Sequence, residues 1–134
     1  MILDTLEIDL ELVSQSRLDE VDFDNLPFGR VFSDHMFIME YKDGRWCKAK
    51  IEGYRALSIM PAMSVLHYGQ AIFEGMKAYR NEQGEVLLFR PEQNARRLNE
   101  SARRMCMPDV PESMFLDGLK KLIDLDREWV PKQE

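Results

Sequence analysis

The chain has 134 residues, 45% of them hydrophobic and 31% charged, a balance that describes a folded domain with one core and excludes a disordered polymer. Its net charge of −6 argues against nucleic acid or an anionic membrane as the main partner. No apolar run approaches the ~20 residues of a membrane span, and the acidic start through Asp4, Glu7 and Asp9 is unlike a signal peptide, so a cytoplasmic location is expected.

In chain order, Leu6, Ile8, Leu10 and Leu12 alternate with Glu7, Asp9 and Glu11, the period-two pattern of a half-buried strand. Residues 13–24 are polar with little periodicity and read as an irregular or briefly helical connector. Residues 25–29 read as a turn, in which Pro27 fixes φ, Gly29 permits a reversal and Phe28 is the one large apolar group. Residues 37–41 are strand-like, Lys42-Asp43-Gly44 is a hairpin turn, and residues 45–52 return with Trp46 and Ile51 available for a core. Cys47 on this return strand and the distant Cys106 fit no zinc or redox spacing, so free thiols and no metal site are expected. Residues 54–63, which include Pro61, read as a loop.

Residues 66–80 then gather two glycines, three aromatics, a histidine and a lysine. Gly69 and Gly75 bracket a short apolar run, which predicts a helical turn that breaks at Gly75 and continues as a strand. Tyr68, Phe73 and Lys77 would project from that bend, as the wall of a small-molecule pocket or as core. Residues 76–80 and 86–90 flank Asn81-Glu-Gln-Gly84 as a second hairpin, bringing the expected antiparallel strands to three or four. Pro91 opens a helix whose stripe of Ala95, Leu98, Ala102 and Met105 should lie on the sheet. Pro108 and Pro111 end it and open a second helix with Leu116, Leu119 and Ile123 on one face until Pro131. The fold class is α/β of the α+β type: one domain over residues 1–134, with an antiparallel sheet and two helices packed on it.

The arginines of the first helix, Arg96, Arg97, Arg103 and Arg104, have no aromatic platform beside them, which speaks against nucleic acid. At roughly 100° per residue, Arg96 points almost opposite the apolar stripe, whereas Arg97 sits on its flank and is expected to be half-buried. A half-buried arginine wants a planar anionic partner, and its fork of donors fits a phosphate or a carboxylate.

His67-Tyr-Gly-Gln-Ala-Ile-Phe-Glu-Gly-Met-Lys-Ala-Tyr79, Phe89-Arg-Pro-Glu-Gln-Asn-Ala-Arg-Arg-Leu98 and Ser101-Ala-Arg-Arg-Met105 resemble, in order, the N-terminal domain of branched-chain amino acid aminotransferases. So do Phe28-Gly-Arg-Val-Phe-Ser-Asp-His-Met36 and Asp126-Arg-Glu-Trp-Val-Pro131, which brings the resemblance to roughly residues 25–131. These are fold-type IV enzymes that use pyridoxal 5'-phosphate, related to D-amino acid aminotransferase. The resemblance implies a small domain that packs on a larger one in a homodimer. It also implies transfer of the amino group of leucine, isoleucine or valine to 2-oxoglutarate, which forms glutamate. Position by position, it implies that Arg97 grips the cofactor phosphate, that Tyr68, Phe73 and Gly75 surround the substrate side chain, that Phe28 also lines that pocket, and that Lys77 is a basic position near the site.

The family places its Schiff-base lysine in the second domain, and none of Lys42, Lys48, Lys50, Lys77, Lys120, Lys121 and Lys132 matches that position. The chain is therefore expected to be an inactive fragment with no catalytic residue of its own. It should hold the cofactor weakly and self-associate through the face it would normally bury. The Glu74-Gly-Met-Lys77 block favours the branched-chain group. A D-amino acid aminotransferase, an aminodeoxychorismate lyase, and a non-catalytic binding or dimerisation module stay open as other readings.

Overall fold

A computed structural model describes residues 7–132. Its longest ladder joins β2 (His35–Lys42) to β3 (Arg45–Gly53), antiparallel, with Phe37 opposite Ile51 and Lys42 opposite Arg45. The turn between them has φ of 53° at Asp43 and 77° at Gly44. Positive φ at both central positions gives a turn whose twist matches that of the strands, and Asp-Gly is the pair that tolerates it. β1 (Asp9–Leu10) adds to the other edge of β3, so the sheet order is β1-β3-β2.

This first strand differs from the expected one in length and direction. It has two residues and runs parallel to β3, with Asp9 beside Lys50 and Leu10 beside Ile51. Ile8 is buried, but Leu10 and Leu12 are 52% and 60% exposed, because no described element covers them. Leu6 lies outside the described residues.

The core forms where α3 (Glu112–Leu125) crosses this sheet. Ile8, Ala49, Ile51 and Met114 are buried together, with Phe37, Met39 and Leu122 packed against them. Fully burying a side chain such as Ile51 stabilises the fold by about 1.5–3 kcal/mol. Gly118 sets the approach distance: a Cβ there would stand 2.9 Å from the ring of Phe37. The buried positions of α3 are Met114 and Gly118, while Leu116, Leu119 and Ile123 are only half-buried.

α2 (Pro91–Arg104) packs chiefly on α3, not on the sheet as expected. Its most buried residues are Ala95, Asn99 and Ala102, small enough for a helix to come close, with Asn99 binding the following loop. The Asn99 side chain accepts from the Val110 N–H at 2.7 Å and donates to the Val110 carbonyl at 2.8 Å. Trp46 Nε1 donates to the Asp109 carbonyl at 2.7 Å and ties the same loop to β3.

The second hairpin, β4 (Ala78–Arg80) with β5 (Val86–Leu88), forms its own two-stranded sheet, so the strands divide into two small sheets. Asn81 holds its turn by accepting from the Glu85 N–H at 2.8 Å. Ahead of it, α1 (Ser64–Tyr68) ends at Gly69, whose φ is 60°, and not at Gly75. The left-handed residue that closes a helix is Gly69, because its N–H must fold back to the Ser64 carbonyl. Residues 70–77 run on without a ladder partner.

A polar cluster joins the segment after β1 to the start of β2 and the end of α3. Asp34 accepts from Ser16 Oγ at 2.6 Å, the Arg17 N–H at 3.0 Å and Trp129 Nε1 at 3.0 Å. Buried His35 meets Asp126 through Nδ1 at 2.6 Å, while its Nε2 accepts from the Val13 N–H at 3.1 Å. Because Nε2 accepts, Nδ1 carries the proton and donates to the carboxylate. Among the described residues no helix is long and apolar enough to cross a membrane.

Candidate functional site

Residues 70–77 are held against the first turns of α2 by side chains. Asn94 and Arg97 stand three apart on α2, so both reach the same side of the helix. Arg97 Nε donates to Glu74 Oε2 at 2.8 Å, and Arg97 Nη2 donates to Glu74 Oε1. Asn94 Nδ2 donates to Glu74 Oε1 and to the Gly75 carbonyl, both at 3.1 Å. The Gly75 N–H closes the set on Glu74 Oε1 at 2.9 Å. One carboxylate thus takes donors from a bidentate guanidinium, an amide and the backbone, and its side chain is 6% exposed.

The electrostatics follow from those donors. Hydrogen bonding from Arg97 is the main cause that holds the Glu74 carboxyl down to about 2, with burial opposing and Asn94, the Gly75 N–H and the Arg97 charge adding. The same pair raises Arg97 above its ordinary value. Glu74 is ionised at any physiological pH.

Arg97 is exposed, not half-buried. Its side chain is 65% accessible, since the packed face of α2 centres on Ala95 and Asn99, each two residues or roughly 200° away. The anionic partner anticipated for it is the chain's own Glu74. A guanidinium has five N–H donors, and Glu74 takes two of them. The rest suffice for an oxyanion on the open side, so the residue present fits one part of a phosphate site.

The other sequence-nominated residues are spread over the surface. Tyr68, the last residue of α1, is 85% exposed, Phe73 91% and Phe28 fully exposed. Gly75 and Lys77 are exposed too. Phe28 borders a shallow hollow with Val21, Phe23, Leu26 and Trp129, and Tyr68, Phe73, Gly75 and Lys77 are not among its walls. The structure joins Gly75 to Arg97 through Glu74, and the hollow beside Phe28 is not lined by Tyr68, Phe73 or Lys77. Glu74 and Asn94 had no site role in the sequence reading, which used Glu74 only as part of its motif. The signal available for them was an acid in the aromatic-rich stretch and an amide three residues before the nominated arginine.

No protein-family model matches the chain. It is 48% identical over 117 residues to branched-chain-amino-acid transaminase 1 of Bacillus subtilis, and 48% identical over 128 residues to branched-chain-amino-acid aminotransferase 2 of that organism. It is 46% identical over 108 residues to the branched-chain-amino-acid aminotransferase of Mycolicibacterium smegmatis. These matches cover 87%, 95% and 80% of this chain. The chain carries the N-terminal part of a branched-chain aminotransferase sequence. It spans 33%, 35% and 29% of the length of those three relatives, about a third.

Proposed function

We propose that residues 1–134 are the single small domain of a cytoplasmic, homodimeric enzyme that moves the amino group of leucine, isoleucine or valine to 2-oxoglutarate with pyridoxal 5'-phosphate. In that enzyme Arg97 holds the cofactor phosphate, and Phe28, Tyr68, Phe73 and Gly75 border the substrate side chain, with Lys77 close by. Bound there, the cofactor supplies the electron sink that transamination needs. The chain's own contribution is positional. Phe73 and Tyr68 offer rigid apolar area that suits a branched aliphatic side chain, and the Tyr68 hydroxyl is the group that meets the carboxylate of glutamate.

One observation carries the reading. A sequence 48% identical to branched-chain aminotransferases over most of its length leaves Phe28, Tyr68 and Phe73 between 85% and 104% exposed. Each such ring left in water forgoes about 1.5–3 kcal/mol of burial, so the exposed set is apolar surface suited to closing over a ligand with a second domain. The test replaces the matching third of the Bacillus subtilis transaminase with this chain. The chimera is expected to transfer amino groups from leucine to 2-oxoglutarate. A folded, cofactor-loaded chimera with no activity on leucine, isoleucine or valine would overturn the reading.

A further inference from the structure

We infer that Glu74, braced by Asn94, is the positioning residue that aims Arg97 at a phosphate. The inference rests on the cofactor-phosphate reading of Arg97 and adds to it the groups that make an exposed arginine directional. A long side chain on the outer face of α2 would otherwise sample many rotamers, and an arginine that must be ordered by its ligand binds that ligand less well. Here the ordering is done beforehand. Glu74 holds the edge of the guanidinium formed by Nε and Nη2.

The brace is itself fixed. Glu74 Oε1 accepts from Arg97 Nη2, from Asn94 at 3.1 Å and from the Gly75 N–H at 2.9 Å, while Oε2 accepts from Arg97 Nε at 2.8 Å, so both oxygens are engaged. Asn94 also holds the Gly75 carbonyl at 3.1 Å, so carboxylate and backbone cannot swing away together.

The opposite role, in which Glu74 plugs the arginine and must leave before an anion binds, fits the geometry less well. Glu74 is the covered member of the pair at 6% exposed, and Arg97 the open one at 65%. An oxyanion can reach the open part of the guanidinium without displacing a carboxylate that four donors hold. Because Glu74 already neutralises Arg97, its benefit to binding is orientation, not added charge.

The experiment follows the Arg97 Nε–H signal by NMR in the purified chain as inorganic phosphate is added. The wild type should show a phosphate-dependent shift there and at the backbone amides of Gly75 and Arg97, and the amide shifts should be lost in Arg97→Lys. Glu74→Gln should weaken that binding about threefold or more, and Asn94→Ala should weaken it in the same direction by less. The spectrum of the remaining amides reports whether each variant is folded, and Asn94→Ala decides the matter if Glu74→Gln is not. Unchanged or tighter phosphate binding in the folded variants would overturn the positioning role and leave Arg97 as a phosphate residue. No phosphate response at Arg97 in the wild type would remove the phosphate reading itself, and the positioning role with it.

Discussion

Glu74 carries a pH dependence whose sign follows from its surroundings. Its carboxyl sits at about 2 in the folded chain against 4.5 for the ordinary group, with the Arg97 hydrogen bond as the main cause. A depressed folded value means that the stabilisation is complete above the ordinary value and is lost as pH falls through about 2. The gap in urea midpoint between wild type and Glu74→Gln should therefore be widest near neutrality and close below pH 4.5, and a gap independent of pH would refute the ion pair. Asp34 behaves in the same sense: burial pushes its carboxyl up, but Ser16, the Arg17 N–H, Trp129 and the Arg17 charge together bring it below its ordinary value. Asp34→Ala removes the shared acceptor of Ser16, Arg17 and Trp129 and should cost about 1–3 kcal/mol in all, read as a lower urea midpoint. At the cofactor, an exposed arginine and phosphate pair contributes on the order of 1 kcal/mol, against roughly 8 kcal/mol for micromolar affinity. Titration of the chain alone with pyridoxal phosphate, followed by borohydride trapping, should find no lysine labelled stoichiometrically. Arg97 could be nominated from the sequence because it falls in a recognisable motif. Its bond to Glu74 could not, since a contact across 23 residues leaves no mark in local periodicity.

At the scale of elements, the features legible in the sequence were those fixed by local chemistry. Asp43-Gly44 specifies its own turn, and Pro91 opens α2 at the position where a missing N–H is tolerated. The period-two pattern of residues 6–12 misled because alternation reports two faces of a strand without saying what covers them. Leu10 and Leu12 have the pattern of a core face and, among the described residues, no layer above them. The helix face of α3 was misplaced for a related reason: its tightest position is Gly118, which hydrophobic counting passes over. Helix propensity alone says that Gly118→Ala should gain about 1 kcal/mol. With a Cβ 2.9 Å from the packed ring of Phe37, it should instead lose about 1–3 kcal/mol by overpacking. Thermal melts of Gly118→Ala, Phe37→Leu and the double variant test this, because relief of the clash makes the double variant more stable than the two separate losses would add up to. Strict additivity would place the cost elsewhere.

For the molecule as a whole, the question is what the open aromatic surface is for. Phe28, Tyr68, Phe73 and Phe89 are each at least 79% exposed, and large exposed apolar area seeks another surface. The chain should therefore self-associate at high micromolar concentration and bind a dye for apolar surface; a clean monomer by light scattering with no dye signal would count against it. The sequence reading set Tyr68 and Phe73 on one bend and had no geometry to join Phe28 to them; in the fold all three are exposed, and the hollow beside Phe28 lacks the other two. The deciding measurement is kcat/KM for leucine and for glutamate in the Bacillus subtilis chimera, with and without Phe73→Ala and Tyr68→Phe. If Phe73 is a side-chain wall, its loss weakens leucine by a few kcal/mol, in line with ~25 cal/mol per Å² of apolar burial, and glutamate by less, while Tyr68→Phe shows the reverse bias. Equal losses for both substrates in Phe73→Ala would contradict the pocket assignment.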